Sequence, residues 1–237
     1  MADGLERPAP SVLPVRAVLF DLDGTLADSA PDLAAALNRL RHDRGLPPVP
    51  VASMRPYASS GARGLLGAGM GIAPNHPEYP ELRERFLAYY EAGLAEQTAL
   101  FPGIAELLAA LEQRALRWGI VTNKFARFTH KVVKALGLST RVGVVVAGDT
   151  TPHAKPHPAP LLHAAERLDV APSACVYVGD DLRDVAAGNA AGMTTIVAQY
   201  GYLGESGNSD DWPATGWIDA PTDLLEWLPG GAMDDRR

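Results

Sequence analysis

The sequence predicts an α/β protein: a doubly wound, parallel five-stranded sheet whose first crossover is interrupted by an all-helical insert. Three observations carry this. Five short apolar runs, at 15–20, 118–121, 142–147, 175–178 and 194–198, have the length and continuity of strands buried on both faces. Helical periodicity fills the intervals between the later runs, as right-handed crossovers of a parallel sheet require. The interval after the first run, about 70 residues long, shows helical patterns only.

Taken in order, the first run is Val15-Arg16-Ala17-Val18-Leu19-Phe20, and it delivers the chain to the turn Asp21-Leu22-Asp23-Gly24-Thr25. The insert follows. Ser29-Ala30-Pro31-Asp32 reads as a capping box ahead of Leu33, Leu37 and Leu40. A Gly-rich helical piece spans 60–71, and a longer helix at 81–97 carries Leu82, Phe86, Tyr89 or Tyr90, and Leu94 in register. An insert that begins just after an acidic turn is expected to sit over it as a cap. Beyond the insert, Ile104, Leu107, Leu108 and Leu111 share one helical face. Val132, Val133 and Leu136 share another, and Leu161, Leu162, Ala165 and Leu168 a third. Helical patterns at 131–137 and 184–192 end on glycine. Trp118 is expected near the sheet, with Trp212, Trp217 and Trp227 packing the late elements onto the core.

These elements divide the chain into a flexible lead at 1–14, a core at 15–27 and 99–228, a helical cap at 28–98, and a flexible tail at 229–237. The lead contains Asp3, Glu6 and three prolines, so it is not expected to be a secretory signal. No apolar stretch approaches the roughly 20 residues a membrane span needs. The formal charge of −7 argues against non-specific binding to nucleic acid or anionic membrane. Cys175 is the single cysteine, so no internal disulfide can form, and a cytoplasmic setting is expected. No heptad seam is evident, which leaves monomer and homodimer both open.

Four patches carry chemistry. Asp21 and Asp23 lie at the carboxyl end of the first strand, where open parallel sheets bind ligands. Two acids so close need a cation, or one of them keeps a proton. Thr122 and Asn123 follow the second strand, where a hydroxyl, an amide and exposed N–H groups can hold a phosphate oxygen; an ordinary N-cap is the competing reading. Lys155 sits between prolines near His153 and His157, and it can pair with phosphate or ease the crowding of carboxylates, or be a plain loop lysine. The two histidines lack a second ligand pair and are read as loop residues. Asp180, Asp181 and Asp184 follow the fourth strand, where acids also suit a helix N-terminus. In one parallel sheet all four strand ends face the same way, so these groups can converge.

With those residues in view, the chain resembles the haloacid dehalogenase-like hydrolase superfamily. Asp21-Leu22-Asp23-Gly24-Thr25 looks like its first motif, Thr122 its second, Lys155 its third, and Gly179-Asp180 with Asp184 its fourth; the core pattern runs from Val15 to about Leu228. The resemblance implies a Rossmann-like core with a helical cap of the first cap class. It also implies an Mg²⁺-dependent phosphomonoester hydrolase acting on a small phosphorylated metabolite. Asp21 would be the nucleophile of an aspartyl-phosphate intermediate and Asp23 the acid/base. Mg²⁺ would be held by the Asp21 carboxylate, the backbone carbonyl of Asp23, and Asp180. Thr122, Asn123 and Lys155 would bind phosphate, and Asp184 would orient Lys155 or a water.

Asp23 separates reaction types within the superfamily, since the dehalogenases lack it. Phosphonate-cleaving relatives use a cap lysine, and the insert contains no lysine. Gly148-Asp149-Thr150, the run from Lys155 to Leu161, and Tyr200-Gly201-Tyr202 resemble phosphoglycolate phosphatases, so 2-phosphoglycolate is the first expected substrate. Ser60-Gly61-Ala62-Arg63 and Thr122-Asn123-Lys124 also resemble N-acetylmuramic acid 6-phosphate phosphatases. That compound, or another sugar phosphate, is the alternative. A phosphomutase and a non-enzymatic phospho-acceptor domain are further alternatives. Arg63 is the leading cap group for substrate contact, with a solvated helix arginine as the competing reading; Arg55 is a weaker candidate.

Overall fold

The structure, a computed structural model, describes residues 15–205 and 207–230. The lead expected at 1–14 and most of the tail expected at 229–237 lie outside the described residues. Six parallel strands form the main sheet: β1 (Ala17–Phe20), β4 (Arg117–Val121), β5 (Val144–Val146), β6 (Cys175–Gly179), β7 (Thr194–Ala198) and β8 (Gly216–Ile218). A two-stranded antiparallel pair, β2 (Ala27–Asp28) with β3 (Ala99–Leu100), lies beside it.

The main sheet runs β5-β4-β1-β6-β7-β8. All five expected strands are present. The sixth, β8, corrects the expected count: it is three residues long, and Gly-Trp-Ile offers too little pattern for recognition. Phe20 is in register with Ile120 on one side and Val178 on the other. The chain runs outward from β1 through β4 to β5, then returns to place β6 on the opposite side of β1. The carboxyl ends of β4, β1 and β6 therefore form the crevice where such sheets take ligands.

Side chains of β1 alternate between two cores, as the two-residue period of a strand requires. Val18 and Phe20 join a core completed by α5 (Ile104–Gln113), α6 (Ala126–Ala135) and the insert. Ala17 and Leu19 pack into a second core with α7 (Ala159–Arg167) and α8 (Leu182–Ala190). The predicted face of α5 is buried as expected; on α6 Val132 and Val133 are buried but Leu136, at its C-cap, is half-buried, and on α7 Leu162 is exposed while Ala164 is in the core. Trp118 and Trp227 are buried, while Trp212 and Trp217 are half-buried against the smaller cluster around Val185 and Val197.

Between β2 and β3 the structure contains only helices: α1 (Ala30–His42), α2 (Val51–Met54), a 3₁₀ helix at Arg55–Ser60, α3 (Gly61–Met70) and α4 (Tyr79–Ala92). Leu33, Leu37 and Leu40 of α1 are buried together with Leu82, Phe86 and Tyr90 of α4. The capping box read at Ser29–Asp32 is not formed. Ser29 sits at the N-cap without a side-chain cap bond, and the Asp32 carboxylate instead accepts from the main-chain N–H groups of Gln97 and Thr98 at 2.8 and 3.0 Å. No helix among the described residues is long and apolar enough to cross a membrane.

Candidate active site

The sheet register delivers the site. Asp21, Thr122 and Asp180 each follow the last paired residues of β1, β4 and β6, so three strand ends place them at one edge. Lys155 arrives on the long loop between β5 and α7, and Asn123 holds that loop. Its side-chain NH₂ donates to the Lys155 carbonyl and its carbonyl accepts from the Lys155 N–H, each at 2.9 Å. The Asn123 side chain, expected at the phosphate, is thus committed to the backbone of Lys155.

Asp21, Asp180 and Asp184 have carboxylate oxygens within 4.8 Å of one another, and all three are buried. Lys155 stands among them, 2.9 Å from Asp21 and 2.7 Å from Asp184. Its Nζ also donates to the Val121 carbonyl at 3.0 Å and the Tyr177 hydroxyl at 2.7 Å. Burial works against the charge on Lys155, but Asp184 and Asp21 outweigh it and hold its pKa above the ordinary lysine value. Burial raises the Asp21 carboxyl to about 7; Lys155 pulls it down, and Asp184 and Asp23 push it up. Asp184 also closes a true capping box on α8, accepting from the Asp181 N–H at 3.1 Å while Asp181 accepts from the Arg183 N–H at 2.9 Å.

Asp180 is held by neutral donors only: the Thr25 hydroxyl and the Tyr202 N–H, both at 2.9 Å, and the Ser59 hydroxyl at 3.4 Å. No lysine or arginine among the described residues pairs with it. Burial raises its pKa well above the carboxylate range, and Asp21 and Asp184 add to that. Ionising all three buried carboxylates beside one lysine would leave net negative charge in a low-dielectric place, so without another cation they hold on to protons. Hard oxygen donors in this arrangement suit a small divalent ion. The cluster includes Asp184, the acid expected to orient Lys155 or a water, and Asp184 does pair with Lys155.

The Asp23 carboxylate is not part of this cluster. It accepts from the Ser29 hydroxyl and is spanned by Lys124, whose Nζ lies 2.8 Å from Oδ1 and 3.0 Å from Oδ2. Lys124 in turn lies 4.8 Å from the centre of the Tyr90 ring. Lys124 stood in the sequence beside Thr122 and Asn123 without an assigned role. Its position after a strand end was the available signal, but its pairing with Asp23, 101 residues away, needs the folded sheet to be seen. Thr122 is buried, and its Oγ1 accepts from the Lys124 N–H at 3.2 Å.

One cavity joins Asp21, Asp23, Asp184, Thr122, Lys124 and Lys155, while Asp180 is not among its lining residues. Asp21, Asp23, Thr122, Lys124 and Lys155 line its floor, while Arg63, Arg83 and Tyr90 line the side contributed by the insert. Arg63 is therefore at the cavity. Arg55 is not among its lining residues and pairs with Asp28 at 2.8 Å. His153 and His157 pack on each other, 4.4 Å between ring centres and tilted by 33°, and neither lines the cavity.

Residues 15–192 match the haloacid dehalogenase-like hydrolase family, and the chain belongs to it. It is 40% identical over 220 residues to an N-acetylmuramic acid 6-phosphate phosphatase of Pseudomonas aeruginosa, spanning 93% of this chain and 97% of that protein. Identity to a phosphoglycolate phosphatase of Xanthomonas campestris is 44% over 214 residues, spanning 89% of this chain and 95% of that one. A crystal structure described as a predicted phosphoglycolate phosphatase from Haemophilus somnus shares the fold, with TM-score 0.79 and 25% identity over 91% of this chain and 99% of its own.

Proposed function

We propose that the protein is a phosphomonoester hydrolase working through an aspartyl-phosphate on Asp21. The observation that carries this is the placement of a buried carboxylate 2.9 Å from a buried lysine, at the meeting point of three strand ends. Asp21 attacks phosphorus as the bond from phosphorus to the ester oxygen breaks. Asp23 gives the departing oxygen its proton. Water then attacks the phosphorus of the Asp21 phosphate, and Asp23 accepts the proton released. Inorganic phosphate leaves and the Asp21 carboxylate is restored.

Thr122, Lys155 and the main-chain N–H groups after β4 bind the non-bridging phosphate oxygens. Asp184 and Tyr177 hold Lys155 in place. Asp21, Asp180 and the Asp23 carbonyl would hold Mg²⁺, with Asp184 close by. When bound, the ion supplies positive charge that favours the ionised nucleophile and offsets the charge of the phosphate. Residues 28–98 act as a cap that shields the reacting groups from bulk water. A cytoplasmic location and a monomeric or homodimeric state belong to the same reading.

The substrate is a small phosphorylated metabolite. 2-Phosphoglycolate and N-acetylmuramic acid 6-phosphate, the compounds acted on by the relatives above according to their names, are the two candidates. Phosphate release from a panel of such esters, with and without a chelator, tests the reading. Asp21→Asn is expected to lose at least about 10³-fold in kcat while melting at an unchanged or higher temperature. Turnover by that variant at the normal rate would remove Asp21 from its role. A phosphomutase would isomerise a sugar phosphate without net phosphate release, and a phospho-acceptor domain would show no multiple turnover.

A further inference from the structure

The cavity holds more cationic and hydrogen-bonding capacity than a phosphate group can use, and the surplus is laid out along one helix. Tyr79, Arg83, Phe86, Leu87 and Tyr90 of α4 all line the cavity, a spacing that keeps them on one helical face. Tyr90 marks the reacting end, because Lys124, the partner of Asp23, lies over its ring. The Tyr90 hydroxyl is buried, and its polar neighbour is the Lys124 ammonium, which is already engaged by Asp23. Arg83 lies seven residues earlier, about 10 Å along the helix axis. Phe86 and Leu87 fill the stretch between them.

Charge follows the same gradient. The acids lining the cavity are Asp21, Asp23, Asp181 and Asp184, and each is paired with Lys155, Lys124 or Arg183. Arg63 and Arg83 line the opposite side, and neither makes an ion pair or hydrogen bond among the described residues. Two guanidinium groups without an acid partner, beyond an apolar stretch and a buried hydroxyl, describe the complement of a particular ligand. Reading outward from the phosphate, that ligand offers a polar group, then a body that covers apolar side chains, then an anion.

We propose that the cavity-lining face of α4, completed by Arg63, is a subsite for a second anionic group on the leaving group of the substrate. The substrate class is a sugar-sized phosphate ester bearing a carboxylate. This rests on the phosphatase reading above and deepens it. A two-carbon acid reaches only about 4 Å beyond its ester oxygen at roughly 1.5 Å per bond, and ends near Tyr90. A hexose ring spans the distance to Phe86 and Leu87, and an acidic arm on it meets Arg83. The planar guanidinium suits a carboxylate, which it can bind through two parallel hydrogen bonds.

The test measures kcat/KM by phosphate release for four esters: N-acetylmuramic acid 6-phosphate, the same amino-sugar phosphate lacking its lactyl arm, 2-phosphoglycolate, and p-nitrophenyl phosphate. The wild type, Arg83→Gln and Arg63→Gln are compared, each checked for an unchanged melting temperature. The expected result is a wild-type preference for the lactyl-bearing ester over both the armless sugar and 2-phosphoglycolate. Arg83→Gln should cut that preference by about 10- to 100-fold, chiefly through KM, and Arg63→Gln by less. A preference that survives both substitutions, or a wild type that favours 2-phosphoglycolate, overturns the subsite while leaving the phosphatase reading in place. Failure of the wild type to release phosphate from any of the four overturns the reading beneath it as well.

Discussion

Gly24 shows how tightly the acidic cluster is built. Its φ is +91°, and a Cβ there would stand 2.1 Å from Asp180 Oδ2. A side chain at this position meets both a left-handed backbone and the carboxylate. Gly24→Ala is therefore expected to destabilise the protein by about 1–3 kcal/mol and to lower phosphate release further than that loss alone explains. Urea denaturation alongside an assay at saturating Mg²⁺ checks it. Asp21 adds a pH signature. Its carboxyl sits at about 7 in the folded protein, raised first by burial, against about 3.9 in an unfolded chain. The folded state holds the extra proton between those values. Its contribution to stability is complete below about 4 and fades as pH rises to about 7, by at most about 1.4 kcal/mol per pH unit. Chelated wild type compared with Asp21→Asn at several pH values isolates this slope, and a slope of the opposite sign would refute it. At this scale the acids, Thr122 and Lys155 were legible because their spacing behind apolar runs is a one-dimensional signal. The places of Lys124, Tyr90 and Arg83 at the cavity were not, because each depends on which neighbour a side chain meets across the fold.

At the scale of elements, the insert is tied to its stem by Asp32. Its carboxylate, at the start of α1, accepts from Gln97 and Thr98 just before β3, so the first and last turns of the insert are fixed to each other. Asp32→Ala removes the shared acceptor of these half-exposed main-chain N–H groups and should destabilise the fold by about 1–2 kcal/mol. Asp32→Asn, which keeps acceptor capacity, should cost less; thermal melting of the two variants checks the order. The same residue shows why local capping rules misled: Ser-x-x-Asp is a valid capping signal, but Ser29 serves Asp23 and Asp32 serves the far end of the insert. Long periodic helices such as α5 were readable throughout. β8 was not, since its three residues gain their strand character from pairing with β7.

For the whole molecule, the order of the sheet converts distant sequence into one site. Asp21 and Asp180 are far apart along the chain, yet β1 and β6 are hydrogen-bonded neighbours. That arrangement gathers buried negative charge beside a single lysine, so ion binding and folding are linked. Millimolar Mg²⁺ should raise the melting temperature by several degrees, whereas Asp180→Asn should abolish the rise. Calorimetry with and without chelator measures both, and an equal rise in the variant would separate the ion from this cluster.

The antiparallel pairing of Ala27 with Leu100 and of Asp28 with Ala99 has a consequence for ancestry. The two ends of the insert are thus the paired strands of one short ladder, whose rungs join them. A short turn could join those strands without moving β1 or β4, and a different helical module could be grafted there as readily. The catalytic floor and the roof above it are thus separable parts, free to diverge at different rates.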